Sequence, residues 1–259
     1  MAQCSCRTDD TMTTSARVIL ENIAIVLHRP RYPENIGASA RVARNMGISQ
    51  LMVVDPRDCD LTRVLKMATH FAADLVEAME VFEDLETALG PFQYVVGTTA
   101  RAGGKRATTA QPRKLAQELI PISQKNRVAL VFGPENTGLT NAELRLCHAV
   151  VTIPTAEFAS LNLAQAVMVL CYEVFLASRQ RGEGFIPRLA TSQELEAMYE
   201  QLKETLVNID FINRENPDYW MQYVRRFFAR SGMRAREVKM IRGMCRQIEW
   251  YGSRRSKDS

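Results

Sequence analysis

Between Ile23 and about Ser178, five short runs of aliphatic and β-branched residues alternate with longer stretches of helical periodicity, which restricts the chain to an α/β architecture. The runs at residues 23–27, 51–55, 94–97, 128–132 and 150–153 are almost continuously apolar. Strands read this way when both faces of a parallel sheet are covered. Helices predicted at about residues 38–46, 61–67, 85–89, 114–118, 142–146 and 162–178 supply that cover.

Beyond Arg179 the pattern changes. Residues 180–187 concentrate glycine and proline and mark a linker. Three apolar stripes at helical spacing follow, starting at Leu195, Trp220 and Val238, and they read as the packing faces of a small helical bundle. Arg225, Arg226, Arg230, Arg242 and other cations interleave with them. Residues 225–257 hold eleven Lys/Arg against two acids, a local +9, while the rest of the chain carries 22 basic against 27 acidic residues. Such a block points to a polyanionic partner, with nucleic acid the leading candidate.

Several function classes drop out. No run approaches the ~20 apolar residues a membrane span needs, and the first sixteen residues are polar, so no membrane partner and a cytoplasmic location are expected. The six cysteines are scattered and read as free thiols; Cys4-Ser5-Cys6 fits no common zinc spacing. His28, His70 and His148 have no partners at helical spacing, so no metal site is expected. In Gly133-Pro-Glu-Asn-Thr-Gly138-Leu139-Thr140 the phosphate-binding Lys of a P-loop is replaced by Leu139, and no G-x-G-x-x-G follows the first strand.

What remains are three polar clusters, each just beyond a predicted strand, where α/β sheets place their ligand sites. The first is Asn35-Ile-Gly37-Ala-Ser-Ala-Arg41-Val-Ala-Arg-Asn45. Asn35 is suited to cap the helix, Gly37 permits close backbone approach, and Arg41 and Asn45 lie four apart on one face. The second is Gly133-Pro-Glu135-Asn-Thr-Gly138, a turn that exposes backbone groups. The third, Ser160-Leu161-Asn162-Leu163-Ala-Gln165, opens a long helix.

In that order and spacing the clusters resemble the three motifs of the SPOUT superfamily of RNA methyltransferases, in its SpoU branch of ribose 2′-O-methyltransferases. The segments at residues 211–217, 225–230 and 241–243 are similar to the C-terminal extension of the TrmJ-like tRNA enzymes. The resemblance implies a mostly parallel sheet flanked by helices, a C-terminal trefoil knot and a small helical extension. It divides the chain into a frayed N-terminus (1–20), a methyltransferase domain (21–179), a linker (180–190), a tRNA-binding extension (191–251) and a tail (252–259). It further implies a homodimer and S-adenosylmethionine as cofactor, held by Thr98, Thr99, Ala100, Gly133, Glu135, Ile153, Ser160 and Leu161. Catalysis would rest on Arg41, Asn35, Ser160 and Asn162, and RNA binding on Arg225, Arg226, Arg230 and Arg242.

The implied target is a tRNA ribose, in the pyrimidine nucleotide opening the anticodon loop. Residues 101–109, with Gly103-Gly104 and three cations, depart from the family pattern. Two alternatives stay open: an RNA-binding protein of this fold without catalysis, and a ribosomal RNA 2′-O-methyltransferase. For Arg41 the resemblance gives activation of the 2′-hydroxyl. Proton abstraction by a guanidinium near pH 7 costs about 7 kcal/mol, so a fixed cation stabilising the developing alkoxide is the easier role.

Overall fold

The computed structural model describes residues 17–100, 109–156, 161–179, 188–229 and 232–255. Expectations for Cys4 and Cys6, most of the 101–109 loop, Ser160, residues 180–187 of the linker, Arg230 and the final four residues lie outside them. Among the described residues, seven strands form one parallel sheet: β1 (Ile23–His28), β2 (Gln50–Val54), β3 (Glu80–Phe82), β4 (Tyr94–Thr98), β5 (Thr109–Ala110), β6 (Val128–Phe132) and β7 (Ala149–Val151). Their order is β3-β2-β1-β6-β4-β7-β5, and every pairing is parallel.

The strands are apolar throughout because both faces are covered. Ile23, Ile25, Leu27, Leu130 and Phe132 face a core shared with α1 (Pro33–Asn45), α2 (Leu61–Ala68), α3 (Ala73–Glu77), α5 (Pro112–Ile122) and α7 (Leu163–Arg179). Ala24, Val26, Ala129 and Val131 face a second core with α4 (Leu85–Leu89) and α6 (Asn141–Leu144). The expected sheet is therefore present, and the structure adds β3, β5 and α3. These three elements are two to five residues long, and β3 is an exposed edge strand.

Two local expectations are corrected. Helix α1 begins at Pro33, five residues before the predicted start, because the proline at its first position presets a helical φ. Asn35 consequently lies inside the helix rather than at its cap, a place taken by Tyr32. The packed chain also begins before residue 21: Val18 is buried, and the Ile19 amide donates to Ser123 Oγ at 3.1 Å.

Three helices complete the chain, α8 (Ser192–Asn208), α9 (Pro217–Ala229) and α10 (Ala235–Arg255). Ala190, Leu195, Met198, Tyr199, Ile212, Met221, Met233 and Val238 form their own core. The first stripe and part of the third pack into it as predicted, with Met244 and Ile248 exposed, whereas the second does not: Trp220, Tyr223 and Phe227 are exposed and α9 instead buries Met221. The bundle docks through two of its backbone amides, Leu189 donating to the Asn126 side-chain Oδ1 and Ser192 to the Phe92 carbonyl.

Candidate active site

Because all the strands run one way, the segments after β1, β4, β6 and β7 emerge at the same edge of the sheet, and these four strands are neighbours in the order β1-β6-β4-β7. That edge gathers the three polar clusters. Asn35 Nδ2 donates to Glu135 Oε1 at 2.7 Å, and Asn162 Nδ2 donates to Asn35 Oδ1 at 2.9 Å. Residues separated by 100 and 127 positions in sequence meet in one hydrogen-bonded chain. The backbone amide of Arg31 donates to the second Glu135 oxygen at 2.9 Å.

The chain has a fixed direction. Asn162 Oδ1 accepts the Ala164 amide at 2.8 Å, and Gln165 Oε1 accepts the Asn162 amide at 3.0 Å, a reciprocal cap on α7. A backbone N–H cannot be inverted, so the Asn162 amide group is oriented by the helix, Asn35 by Asn162, and the acceptor at position 135 closes the series. Asn35 is buried, so each of these bonds matters.

The glycines of the clusters are demanded by packing. A Cβ on Gly37 would lie 2.1 Å from the Val64 carbonyl oxygen, so the close approach expected there is between α1 and α2. A Cβ on Gly133 would lie 2.4 Å from the Leu139 nitrogen, which the tight turn through Gly138 (φ +64°) brings back over it. Arg41 and Asn45 are exposed on α1, and the Arg41 guanidinium has no hydrogen-bonding partner among the described residues.

The residues expected around a cofactor sit at the same edge. Thr98 Oγ1 is tied to the Val131 carbonyl at 3.0 Å, and the Thr99 amide donates to the Val151 carbonyl, which stitches the ends of β4, β6 and β7. Ala100 is exposed, Ile153 half-buried and Leu161 exposed. Next to Ile153, the buried Thr152 hydroxyl has no hydrogen-bonding partner among the described residues. An orphan hydroxyl beside an apolar side chain and converging loop backbone fits a ligand with a flat ring and a hydrogen-bonding edge, as S-adenosylmethionine has.

Sequence reasoning missed two features. His28, read as isolated, is buried at the end of β1 with Nε2 3.0 Å from Glu143 Oε1. Burial works against the Glu143 charge, but the Thr140 amide and His28 outweigh it and hold the carboxyl below its ordinary range. Arg31 enters through its backbone, which no side-chain pattern reveals. The extension also distinguishes among its cations. Arg225 is bound by Glu196 and Glu200 and lies over the Tyr199 ring, and Arg242 Nε donates to Gln201 Oε1, so both brace the bundle. Arg226 is exposed, over Tyr223.

The segments that meet at this edge, an Asn of the first helix tied to a Glu and an Asn of two later loops, lie within the span matched by a methylase family of the SpoU type. The SpoU rRNA Methylase family model matches residues 22–172, and that of the tRNA methyltransferase TrmJ C-terminal domain matches residues 193–259. The chain belongs to the SpoU methylase family. The tRNA (cytidine/uridine/adenosine-2′-O-)-methyltransferase TrmJ of Pseudomonas aeruginosa is 37% identical over 245 residues, covering 89% of this chain and 95% of that protein. The tRNA (cytidine/uridine-2′-O-)-methyltransferase TrmJ of Sodalis glossinidius is 35% identical, covering 89% and 92%. Among solved structures, TrmJ from Z. mobilis matches with a TM-score of 0.74 at 29% identity, over 87% of this chain and 98% of that one.

Proposed function

We propose that this protein transfers a methyl group from S-adenosylmethionine to a ribose 2′-hydroxyl of tRNA, in the pyrimidine nucleotide that opens the anticodon loop. The observation that carries this reading is the Asn35–Glu135–Asn162 chain, which unites the three motif loops at one sheet edge. The tRNA substrate is supported by the TrmJ-type extension and by the substrates for which the relatives are named.

When bound, S-adenosylmethionine supplies an electrophilic methyl carbon. Thr98, Thr99, Ala100, Gly133, Ile153, Ser160 and Leu161 would hold it, with the Thr152 hydroxyl as a further donor or acceptor. Glu135 orients Asn35 and the loop at Arg31. Arg41 is the catalytic cation: it binds the phosphate beside the target ribose bidentately and stabilises the alkoxide as the hydroxyl loses its proton. Asn35, Asn162 and Ser160 complete the polar shell around it. Arg226 and Arg230 bind tRNA phosphates, with Arg225 and Arg242 holding the helices that present them.

The trefoil knot belongs to the same reading, supported by the sheet order and by the packing of α7 against α1 and α5. So does a homodimer: Tyr32 and Leu161, just before α1 and α7, and Met168 and Tyr172 along α7 are exposed side chains with large apolar surface. A cytoplasmic location accords with a tRNA substrate; among the described residues no helix is long and apolar enough to cross a membrane. The five-part domain division is proposed with three boundaries moved: the N-terminal segment ends before the buried Val18, the extension starts at Leu189, which is bridged to Arg234, and it runs to the end of α10 at Arg255 instead of residue 251.

The test is incubation with tRNA and methyl-labelled S-adenosylmethionine, then nuclease digestion to locate the 2′-O-methyl nucleotide. Folded Arg41→Ala should lose most of kcat and keep cofactor affinity, and Arg41→Lys should retain a partial rate. Transfer by Arg41→Ala within a few-fold of the parent rate would sink this assignment.

A further inference from the structure

The loop between α8 and α9 presents a cleft of about 640 Å³, lined by Asp210, Phe211, Asn213, Arg214, Glu215 and Trp220 among others. Asp210 has φ +56° and reverses the chain. The amides of Phe211 and Ile212 then both donate to the Leu206 carbonyl, at 3.0 and 3.2 Å. Ile212 is buried in the bundle core while Phe211 is 74% exposed, so an anchored turn holds an aromatic ring out in water. Across the cleft Trp220 is 51% exposed. Its ring is braced by Tyr219 and Tyr223, whose hydroxyls lie 3.1 Å apart, and Arg226 stands over Tyr223.

We propose that this cleft is a nucleobase subsite: Phe211 and Trp220 receive one unstacked base of the tRNA, and Glu215 and Asn213 read its edge. The proposal rests on the tRNA reading above. Aromatic faces on a rigid turn are what single-stranded RNA uses, because every base offers a π-face. The polar groups select the base rather than its phosphate. Asp210 pairs with Arg214 at 3.2 Å, and the Glu215 carboxylate has no partner among the described residues. That carboxylate repels a phosphate but accepts from the exocyclic amino group of cytosine, adenine or guanine. The phosphates belong outside the cleft, toward Arg226 and the segment of net charge +9 that begins at Arg225. Asn213 Oδ1 already accepts the Glu215 amide, which leaves its Nδ2 hydrogens for the base.

The experiment uses the full chain. In a Trp250→Phe background Trp220 is the remaining tryptophan, and its fluorescence is followed on titration with tRNA. Quenching should saturate with the Kd found by filter binding. Phe211→Leu and Trp220→Leu, which keep apolar bulk but remove the π-face, should each weaken tRNA binding about 5- to 100-fold, the loss of one stacked base. Their mass by light scattering should not change. Glu215→Gln should weaken the preference for a cytidine or adenosine oligonucleotide over a uridine one. Unquenched Trp220 in a tRNA complex, or parental affinity in both leucine variants, overturns the subsite. A changed oligomeric mass in those variants overturns it too, in favour of a protein interface. If the parent neither binds nor methylates tRNA, the tRNA reading fails and the subsite with it; if the parent methylates normally and only the cleft variants are silent, the subsite alone fails.

Discussion

Reversing the polarity of the hydrogen-bond chain that runs through the buried Asn35 tests whether the three motifs act as one unit. In Glu135→Gln the carboxamide meets two donors, the Arg31 amide and Asn35 Nδ2, with only one acceptor oxygen. Turning Asn35 over relieves that end but sets its Nδ2 against Asn162 Nδ2, and turning Asn162 over sets the same conflict against the Ala164 amide. Each arrangement loses a bond: a conflict at the buried Asn35 costs about 1–3 kcal/mol, and one at the Ala164 amide, beside the exposed Asn162 where water can reach the orphaned donor, costs the lesser amount of about 0.5–1.5 kcal/mol. Asn162→Asp is frustrated in the opposite sense, because an acceptor then faces Asn35 Oδ1, or Asn35 turns and faces Glu135. The double variant is satisfied throughout: the new carboxamide at position 135 donates to Asn35, Asn35 donates to the new carboxylate at position 162, and that carboxylate accepts from the Ala164 amide at the favourable N-terminal end of α7. Urea denaturation followed by far-ultraviolet circular dichroism should therefore show two destabilised single variants and a double variant within about 1 kcal/mol of the parent, a coupling of about 2 kcal/mol. If the single effects simply add to within about 0.5 kcal/mol, the chain does not have the one-way polarity described.

Three further outcomes follow from individual contacts. Gly37→Ala places a methyl 2.1 Å from the Val64 carbonyl oxygen, so α1 and α2 must separate; a loss of about 1–3 kcal/mol or more, read as a lowered Tm, is expected, and an unchanged Tm would refute the packing. Burial pushes the His148 pKa from 6.5 down to about 4, and its Nδ1 accepts the Val95 amide. The unfolded chain therefore binds a proton that the native one refuses: stability is full above pH 6.5 and falls by about 3 kcal/mol toward pH 4, a slope that His148→Asn should flatten. Arg225→Ala, which removes the contacts to Glu196 and Tyr199, should lower bundle stability, whereas Arg226→Ala should leave stability intact and reduce the salt dependence of tRNA binding by about one phosphate contact, as filter binding across salt concentrations would show.

The parts of the fold legible from sequence are those where one physical cause dominates. β1 and β6 were readable because strands buried on both faces must be apolar at every position, and α8 because Leu195, Met198, Leu202 and Leu206 recur at helical spacing. β3 was not, since Glu80 and Val81 are exposed, Phe82 is half-buried, and the strand is paired on one side only. In the site, residue types were legible and their partners were not. Asn35 looks like a helix cap from its neighbours, yet Pro33 starts the helix earlier and frees the side chain for Glu135 and Asn162, 100 and 127 residues away. Arg225 looked like an RNA contact because charge counting does not register Glu196 and Glu200 on the facing helix.

These contacts show how the frame around the proposed site can orient Arg41. Asn35 and Gly37 fix helix α1 at two points, one by hydrogen bonds to Glu135 and Asn162 and the other by contact with Val64. Two fixed points near one end determine the rotation of a helix about its axis, and Arg41, six residues beyond Asn35, follows that rotation. Its guanidinium is directed into solvent by a helix that cannot turn, which suits an approaching phosphate better than a long side chain on a mobile loop. The polar chain ends at the cap of α7, the helix that follows the third motif, so Arg41, proposed to bind phosphate, and the loops assigned to the cofactor share one frame. A substitution in that frame should thus change kcat even where it touches neither substrate.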